Sequence, residues 1–329
     1  MKFTKQGVVE EIILKFPNTP NMTLAKKIVQ DHPKLFSNLE LARTTIRNAK
    51  GLSGKVNKQR FEKSDFKLAF EKLKKDLPKG ETDLIEPYKL PKSIRRVLIL
   101  SDIHFPYQDD NALFKALEYG HEKDVDCIYL NGDTMDAYQL SRHEKDPRKR
   151  SFSYELDCVR TFLRGLREMF PNALICYKIG NHDARYEKFI IQAAPHLLDI
   201  EAVQLSELLE FPKLRIVEIK SMQWSYAGKL PILHGHELPV KSGGVNPART
   251  VQLKLNKQAV IGHFHRETKA NGKQFGEQQY TTYSLGCLCD LFPNYMPINE
   301  WGHGFGYLEL EPNGNYHMKQ VAIVNNKFY

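Results

Sequence analysis

The chain has 329 residues, of which 41% are hydrophobic and 26% charged. That is enough apolar content for one large domain with a small companion. The opening "MKFTKQGVVEEIILKFP" has acids and no long apolar run, and the five cysteines form no CxxC pair. A leader or membrane span is therefore not expected, nor is a disulfide framework, and a cytoplasmic protein is the expectation. Cys287 and Cys289 in "GCLCD" are a weak metal signal alone. The net charge of +9 is uneven: residues 1–90 carry +8 and the rest +1. Such a concentration points to a polyanionic partner for the N-terminal part.

Three short helical patterns open the chain. "KQGVVEEIILKF" groups Val8, Ile12 and Ile13, and "MTLAKKIVQDH" groups Leu24, Ile28 and Val29. In "SNLELARTTIRNAKG", Ser37 and Glu40 match a capping box and Gly51 sits at the expected C-terminal stop. Leu39, Ala42 and Ile46 would face inward, leaving Arg43, Arg47 and Lys50 along an outer face. The module resembles a helix-turn-helix with a basic third helix, the arrangement that contacts nucleic acid. A solvated face on a small helical bundle is the alternative reading of the same cations. Residues 43–79 hold 12 Lys/Arg against 4 Asp/Glu. The expected organisation is a helical module over 1–52, a basic and partly helical linker over 53–92, and a catalytic domain over 93–329.

Beyond the linker, apolar runs at 97–100, 127–130, 174–179, 230–233 and 258–261 read as buried strands. Helical segments are expected at 111–122, 152–170 and 184–195, and further strands follow residue 277. Apolar strands joined through helices predict an α/β domain with two packed sheets, preceded by the small all-helical domain.

Each apolar run ends in polar residues: "SDIH", "NGD", "GNHD", "HGH" and "GHFH". Loops from several strand ends converge at one sheet edge, where ligands bind in open α/β folds. Asp, Asn and His offer oxygen and imidazole nitrogen without thiolate, which suits manganese, iron, zinc or nickel. The donors suffice for two divalent ions. Two such ions bring a charge of +4 against −2 from Asp102 and Asp133. The excess suits a phosphate and a hydroxide.

The ordered set D-x-H, G-D-x-x-D, G-N-H-D, H-G-H and G-H-x-H resembles the calcineurin-like metallophosphoesterase superfamily over residues 96 to 265. The resemblance implies an αββα sandwich and a metal-activated hydroxide that hydrolyses phosphate esters. It implies that Asp102, His104 and His265 hold one metal, that Asn181, His234 and His263 hold the other, and that Asp133 bridges them. It further implies that His182 protonates the leaving oxygen and that Asp136 steadies His182. Asp183 is left a structural part, and His236 no catalytic one. Arg185 is a phosphate contact or, equally, a helix-start ion pair. Past Asp136, "AYQLSRHEKDPRKRS" carries Arg142 and His143 as substrate contacts beside further cations.

The leading expectation is a manganese-dependent phosphodiesterase or nuclease, tethered to nucleic acid through Arg43, Arg47 and Lys50. Phosphomonoester or small-nucleotide hydrolysis is the alternative, and a non-catalytic nucleic-acid-binding scaffold a more distant one. Protein phosphatases of this superfamily typically carry Arg after the G-D-x-x-D acid, where this chain has Ala137. The combination of helical module, basic linker and catalytic domain is similar to phage and prophage proteins.

Overall fold

The computed structural model describes residues 4–53, 55–82, 84–142, 146, 151–240, 243–273, 275–276 and 279–329, with backbone alone for 55–65. The chain divides into two compact units, Met1–Asp83 and Leu84–Tyr329.

In the first unit, α1 (Lys5–Lys15), α2 (Asn21–Asp31) and α3 (Leu39–Ala49) precede the longer α4 (Lys55–Asp76). Val8, Val9, Ile12, Ile13, Leu24 and Ile28 pack with Ala42 and Ile46 of α3 into one core, because the apolar positions recur at helical spacing. Burying each Val, Leu or Ile side chain among these is worth about 1.5–3 kcal/mol. The expected capping box at Ser37 and Glu40 does not form. Asn38 is the cap instead, its Oδ1 accepting the Leu41 amide at 2.8 Å. Glu40 pairs with Arg43 at 2.9 Å. Gly51 follows the helix at φ +66°, and the chain turns there through Leu52 N–H to the Arg47 carbonyl at 2.9 Å. The segment read as a partly helical linker is mostly a 22-residue helix, α4.

The second unit is two sheets flanked by helices. One sheet contains β2 (Arg96–Leu100), β3 (Cys127–Leu130), β4 (Leu174–Lys178) and β5 (Ile216–Ile219), all parallel. The antiparallel β11 (His303–Leu310), β12 (Tyr316–Val324) and β13 (Lys327–Phe328) extend it in the order β13-β12-β11-β2-β3-β4-β5. The other sheet has the order β1-β6-β7-β8-β10-β9. Its strands are β1 (Tyr88–Lys89), β6 (Ser225–Ala227), β7 (Leu230–Ile232), β8 (Ala259–Ile261), β9 (Thr268–Lys273) and β10 (Gln279–Ser284). The expected C-terminal strands thus serve both sheets.

Alternation along β2 makes the layers. Leu98 and Leu100 point to the core beneath α5 (Asp110–Glu122) and α6 (Phe152–Met169), while Val97 and Ile99 point to the core between the sheets. The buried Tyr129 spans that inter-sheet layer and donates its hydroxyl to Ser225 Oγ at 2.7 Å, so the phenol is not stranded. Helices α7 (Arg185–Ala193), α8 (Leu205–Leu208) and α9 (Phe211–Leu214) lie in chain order between β4 and β5. On the far face of the second sheet, α10 (Pro247–Leu255) packs Val251 against Leu233 and Ile261. The result is the αββα sandwich. Among the described residues no helix is long and apolar enough to cross a membrane.

Candidate metal centre

The parallel strands β2, β3 and β4 end at one edge, and β7 and β8 end beside it. Hydrogen bonds join the two edges, among them Asn131 Nδ2 to the Leu233 carbonyl at 2.9 Å and His234 Nδ1 to the Asn131 carbonyl at 2.7 Å. The strand-end turns are tight. Asp102, His104, Asp133, His263 and His265 all have φ between +52° and +69°, a region disfavoured for residues with a Cβ. Backbone bonds hold them there, such as His104 N–H to the Asp133 carbonyl at 2.9 Å. Glycines allow the approach: a Cβ on Gly180 would lie 2.2 Å from Asp133 Oδ1, and one on Gly262 only 1.9 Å from Ser101 Oγ.

Seven side chains expected as ligands converge in two groups. In the first, His104 Nε2 lies 3.2 Å from His265 Nε2, which lies 3.2 Å from Asp102 Oδ1. In the second, His234 Nε2 lies 3.1 Å from Asp133 Oδ2 and 3.2 Å from Asn181 Oδ1, and His263 also faces Asp133 and His234. Asp133 Oδ2 sits 3.9 Å from His104 Nε2 as well, so one oxygen faces both groups.

The donor set fits metal ions on three counts. Asp102 Oδ1 is fully buried without a hydrogen-bond partner, although Oδ2 accepts from Ser101 Oγ at 2.6 Å and the His263 amide at 2.9 Å. A buried carboxylate oxygen left this way calls for a cation. His104 and His234 each donate Nδ1–H elsewhere, to Asp136 Oδ1 at 3.0 Å and to the Asn131 carbonyl, which leaves both Nε2 atoms basic. The charges also favour cations. Burial alone would raise the Asp102 and Asp133 carboxyls, but His265 and His234 outweigh it and hold both below the usual carboxylate range. Burial likewise opposes charge on the histidines, yet Asp133 lifts His234 to about 10 and Asp102 lifts His265 to about 9, so an ion binding here would displace a proton from each ring. His263, buried and facing His234, is lowered to about 4.

Beside these groups, Asp136 Oδ1 accepts from His182 Nδ1 at 2.9 Å as well as from His104. Burial would raise this carboxyl, and the two imidazoles bring it below its ordinary range. Arg185 donates to the Asp136 carbonyl at 2.8 Å and reaches His182 Nε2 at 3.1 Å.

Residues 95–292 match the calcineurin-like phosphoesterase family. The chain belongs to that family. It is a metal-dependent hydrolase of phosphate esters. Over 250 residues it is 26% identical to the Gene 54 protein of Mycobacterium phage L5, covering 71% of this chain and 96% of that one. Similar solved structures include Vacuolar Protein Sorting 29 from Cryptosporidium parvum, with a TM-score of 0.40 and 14% identity over 72% of this chain and 95% of that one. Another is a dimetal phosphatase from Danio rerio, with a TM-score of 0.36 and 11% identity over 69% of this phosphoesterase and 96% of that chain.

Other residues read from the sequence fall elsewhere. Asp183 accepts four hydrogen bonds, from the amides of Asp133, Met135 and Gly180 and from the Tyr177 hydroxyl, so it braces the loops. His236 Nε2 meets Ser221 Oγ at 2.9 Å, and burial lowers this imidazole to about 4. Arg142 is exposed and does not line the cavity beside the centre; His143 lies outside the described residues. Arg43 and Arg47 lie on α3 of the first unit and Lys50 caps it.

Three features escaped the reading of this phosphoesterase's sequence. Glu237 anchors the His234 loop, accepting the His234 and Gly235 amides at 3.1 and 2.7 Å, and pairs with the buried Lys178 at 3.1 Å. Lysine inside the apolar run "LICYKI" was the available signal, since a buried cation needs a buried acid. Glu155 is fully buried beneath the Asp136 loop, both oxygens near the Tyr138 amide at 3.1 and 3.2 Å. The third is a cavity of about 760 Å³ opening on His104, Asp136, His182 and Arg185.

Proposed function

We propose that this phosphoesterase is a dinuclear-metal phosphodiesterase acting on nucleic acid. The observation that carries the metal chemistry is the buried Asp102 Oδ1, which accepts no hydrogen bond and has the His265 and His104 Nε2 atoms beside it at 3.2 and 3.9 Å. Asp102, His104 and His265 would hold one ion and Asn181, His234 and His263 the other, with Asp133 shared. Two divalent ions bound there, manganese in our reading, would supply charge to a phosphoryl oxygen and a nucleophilic water near neutral pH.

The chain's own groups handle the leaving side. Asp136 fixes the His182 ring through Nδ1, so Nε2 is the atom that delivers a proton to the departing oxygen. Arg185 stands against that same nitrogen. A phosphate oxygen entering there gives the guanidinium a better, charge-assisted partner and frees Nε2 for the proton. The nucleic-acid reading is supported by the +8 charge of residues 1–90 and by the cations Arg43, Arg47 and Lys50.

A substrate panel tests this. Manganese-loaded protein should cleave bis-p-nitrophenyl phosphate and at least one of single-stranded DNA, duplex DNA and RNA, and lose both activities with EDTA. Cleavage of phosphomonoesters or small nucleotides alone would replace the nuclease reading. Activity indifferent to chelator would refute the metal assignment.

A further inference from the structure

The cavity beside the centre is far larger than a phosphate requires. Its volume of about 760 Å³ lies within the range of sites that enclose a whole organic ligand, roughly 300–1,000 Å³. The floor is His104, Asp136, His182 and Arg185, while Tyr107, Tyr138, Tyr295 and Trp301 are in the wall. The floor belongs to the phosphoesterase chemistry; the aromatic wall has no part in it.

Two of those aromatics are held in place for contact. Trp301 packs edge-on against His265, ring centroids 4.1 Å apart, and Tyr295 stands 6.3 Å from Trp301 at 64°. Tyr295 is 75% exposed, although its loop is braced from within. Asn299 Nδ2 donates to the Leu291 and Met296 carbonyls at 2.7 and 2.8 Å, and Asn299 Oδ1 accepts the Trp301 amide at 2.8 Å. An aromatic ring kept in water by a pre-organised loop offers a stacking face at little entropic cost. Asn294 and Asp290, also in the lining, add amide donors and oxygen acceptors at the edge of that face.

We infer that this cavity is a nucleobase site, which takes the base of the nucleoside attached to the scissile phosphate against the face of Tyr295, with the Trp301 indole beside it. A base has both a π-face and a hydrogen-bonding edge, matching the two kinds of group in the wall. A simple aryl ester has only the face. Since a base must leave its stack to enter, the preferred substrate is single-stranded or a free nucleotidyl ester rather than intact duplex. The orientation of the base relative to the phosphate rests on the phosphoesterase reading above.

Binding rather than turnover tests it. The chain has two tryptophans, so in a Trp224→Phe background Trp301 is the sole indole reporter. Full-length protein is titrated with AMP and with ribose 5-phosphate by calorimetry, and Trp301 fluorescence is followed in parallel. AMP should bind more tightly and quench the indole. Tyr295→Ala should cut the AMP preference by about 5- to 150-fold, the range of one base–aromatic stack. Tyr295→Phe should retain it, which separates stacking from misfolding. Equal affinities for the two probes, or an equal loss for both in Tyr295→Ala, would overturn the inference. AMP binding with quenching in a protein that hydrolyses no phosphodiester would uphold the base site and sink the catalytic reading alone.

Discussion

Glu237→Gln isolates the buried pair behind the His234 loop. Lys178, the last residue of β4, has no exposure, and its Nζ donates to the carbonyls of Ile179, Lys220 and Ser221 as well as facing Glu237. Burial would raise the Glu237 carboxyl, but the ammonium outweighs it and brings it to about 2; burial in turn lowers Lys178. The carboxamide has nearly the volume of the carboxylate and still accepts one of the two loop amides. What it removes is the charge that balances Lys178. Leaving one member of a buried pair uncompensated costs about 3–5 kcal/mol. For a unit spanning Leu84–Tyr329, roughly 2 °C per kcal/mol applies, so Tm should fall by about 6–10 °C. Differential scanning calorimetry of the full chain in EDTA reads this without a metal contribution. The double variant Lys178→Met with Glu237→Gln, which buries no charge at the pair, should recover most of the loss. A shift below about 2 °C for Glu237→Gln, or a double variant as unstable as the sum of the two single ones, would refute the assignment of the pair as a structural anchor.

His182→Ala should reduce phosphodiester turnover by about 10²- to 10⁴-fold with metal content, measured by plasma mass spectrometry, unchanged; parallel loss of metal would make it a ligand. Burial and then Asp136 raise Glu155 from its ordinary 4.5 to about 8. Below pH 4.5 the group is protonated folded or unfolded, whereas between 4.5 and 8 only the folded state keeps the proton, so stability falls as pH rises through that window. Glu155→Gln should flatten this fall, worth a few kcal/mol, in urea melts at pH 5 and pH 8; an unchanged pH slope would disprove it. Replacing Arg43, Arg47 and Lys50 together by Ala should lower the salt slope of nucleic-acid binding by about 2–3, whereas an unaltered slope would leave them a solvated face.

The candidate rim was legible because each cluster of candidate ligands follows a largely apolar run, as His263 and His265 follow Ala259–Ile261. Strands buried on both faces announce themselves in that way. Others did not. β9, "TKANGK", is an edge strand with polar residues toward water, and β1 and β6 are only two and three residues long. The capping position also moved by one residue, since Ser37 and Asn38 are both competent caps and only the entering chain decides between them. Partnerships over long separations were harder still. Lys178 and Glu237 are 59 positions apart, and no periodicity links Tyr295 or Trp301 to His182. Such proximity is a property of the folded rim.

Asp136 Oδ1 receives both the His104 and the His182 ring. One atom therefore orients a candidate ligand and the candidate acid simultaneously. An investigator who substitutes it will see loading and protonation deteriorate in concert, and crossing that lesion with one at either histidine will yield less than multiplicative damage. These two rings share a common node, so neither can be tuned independently from there.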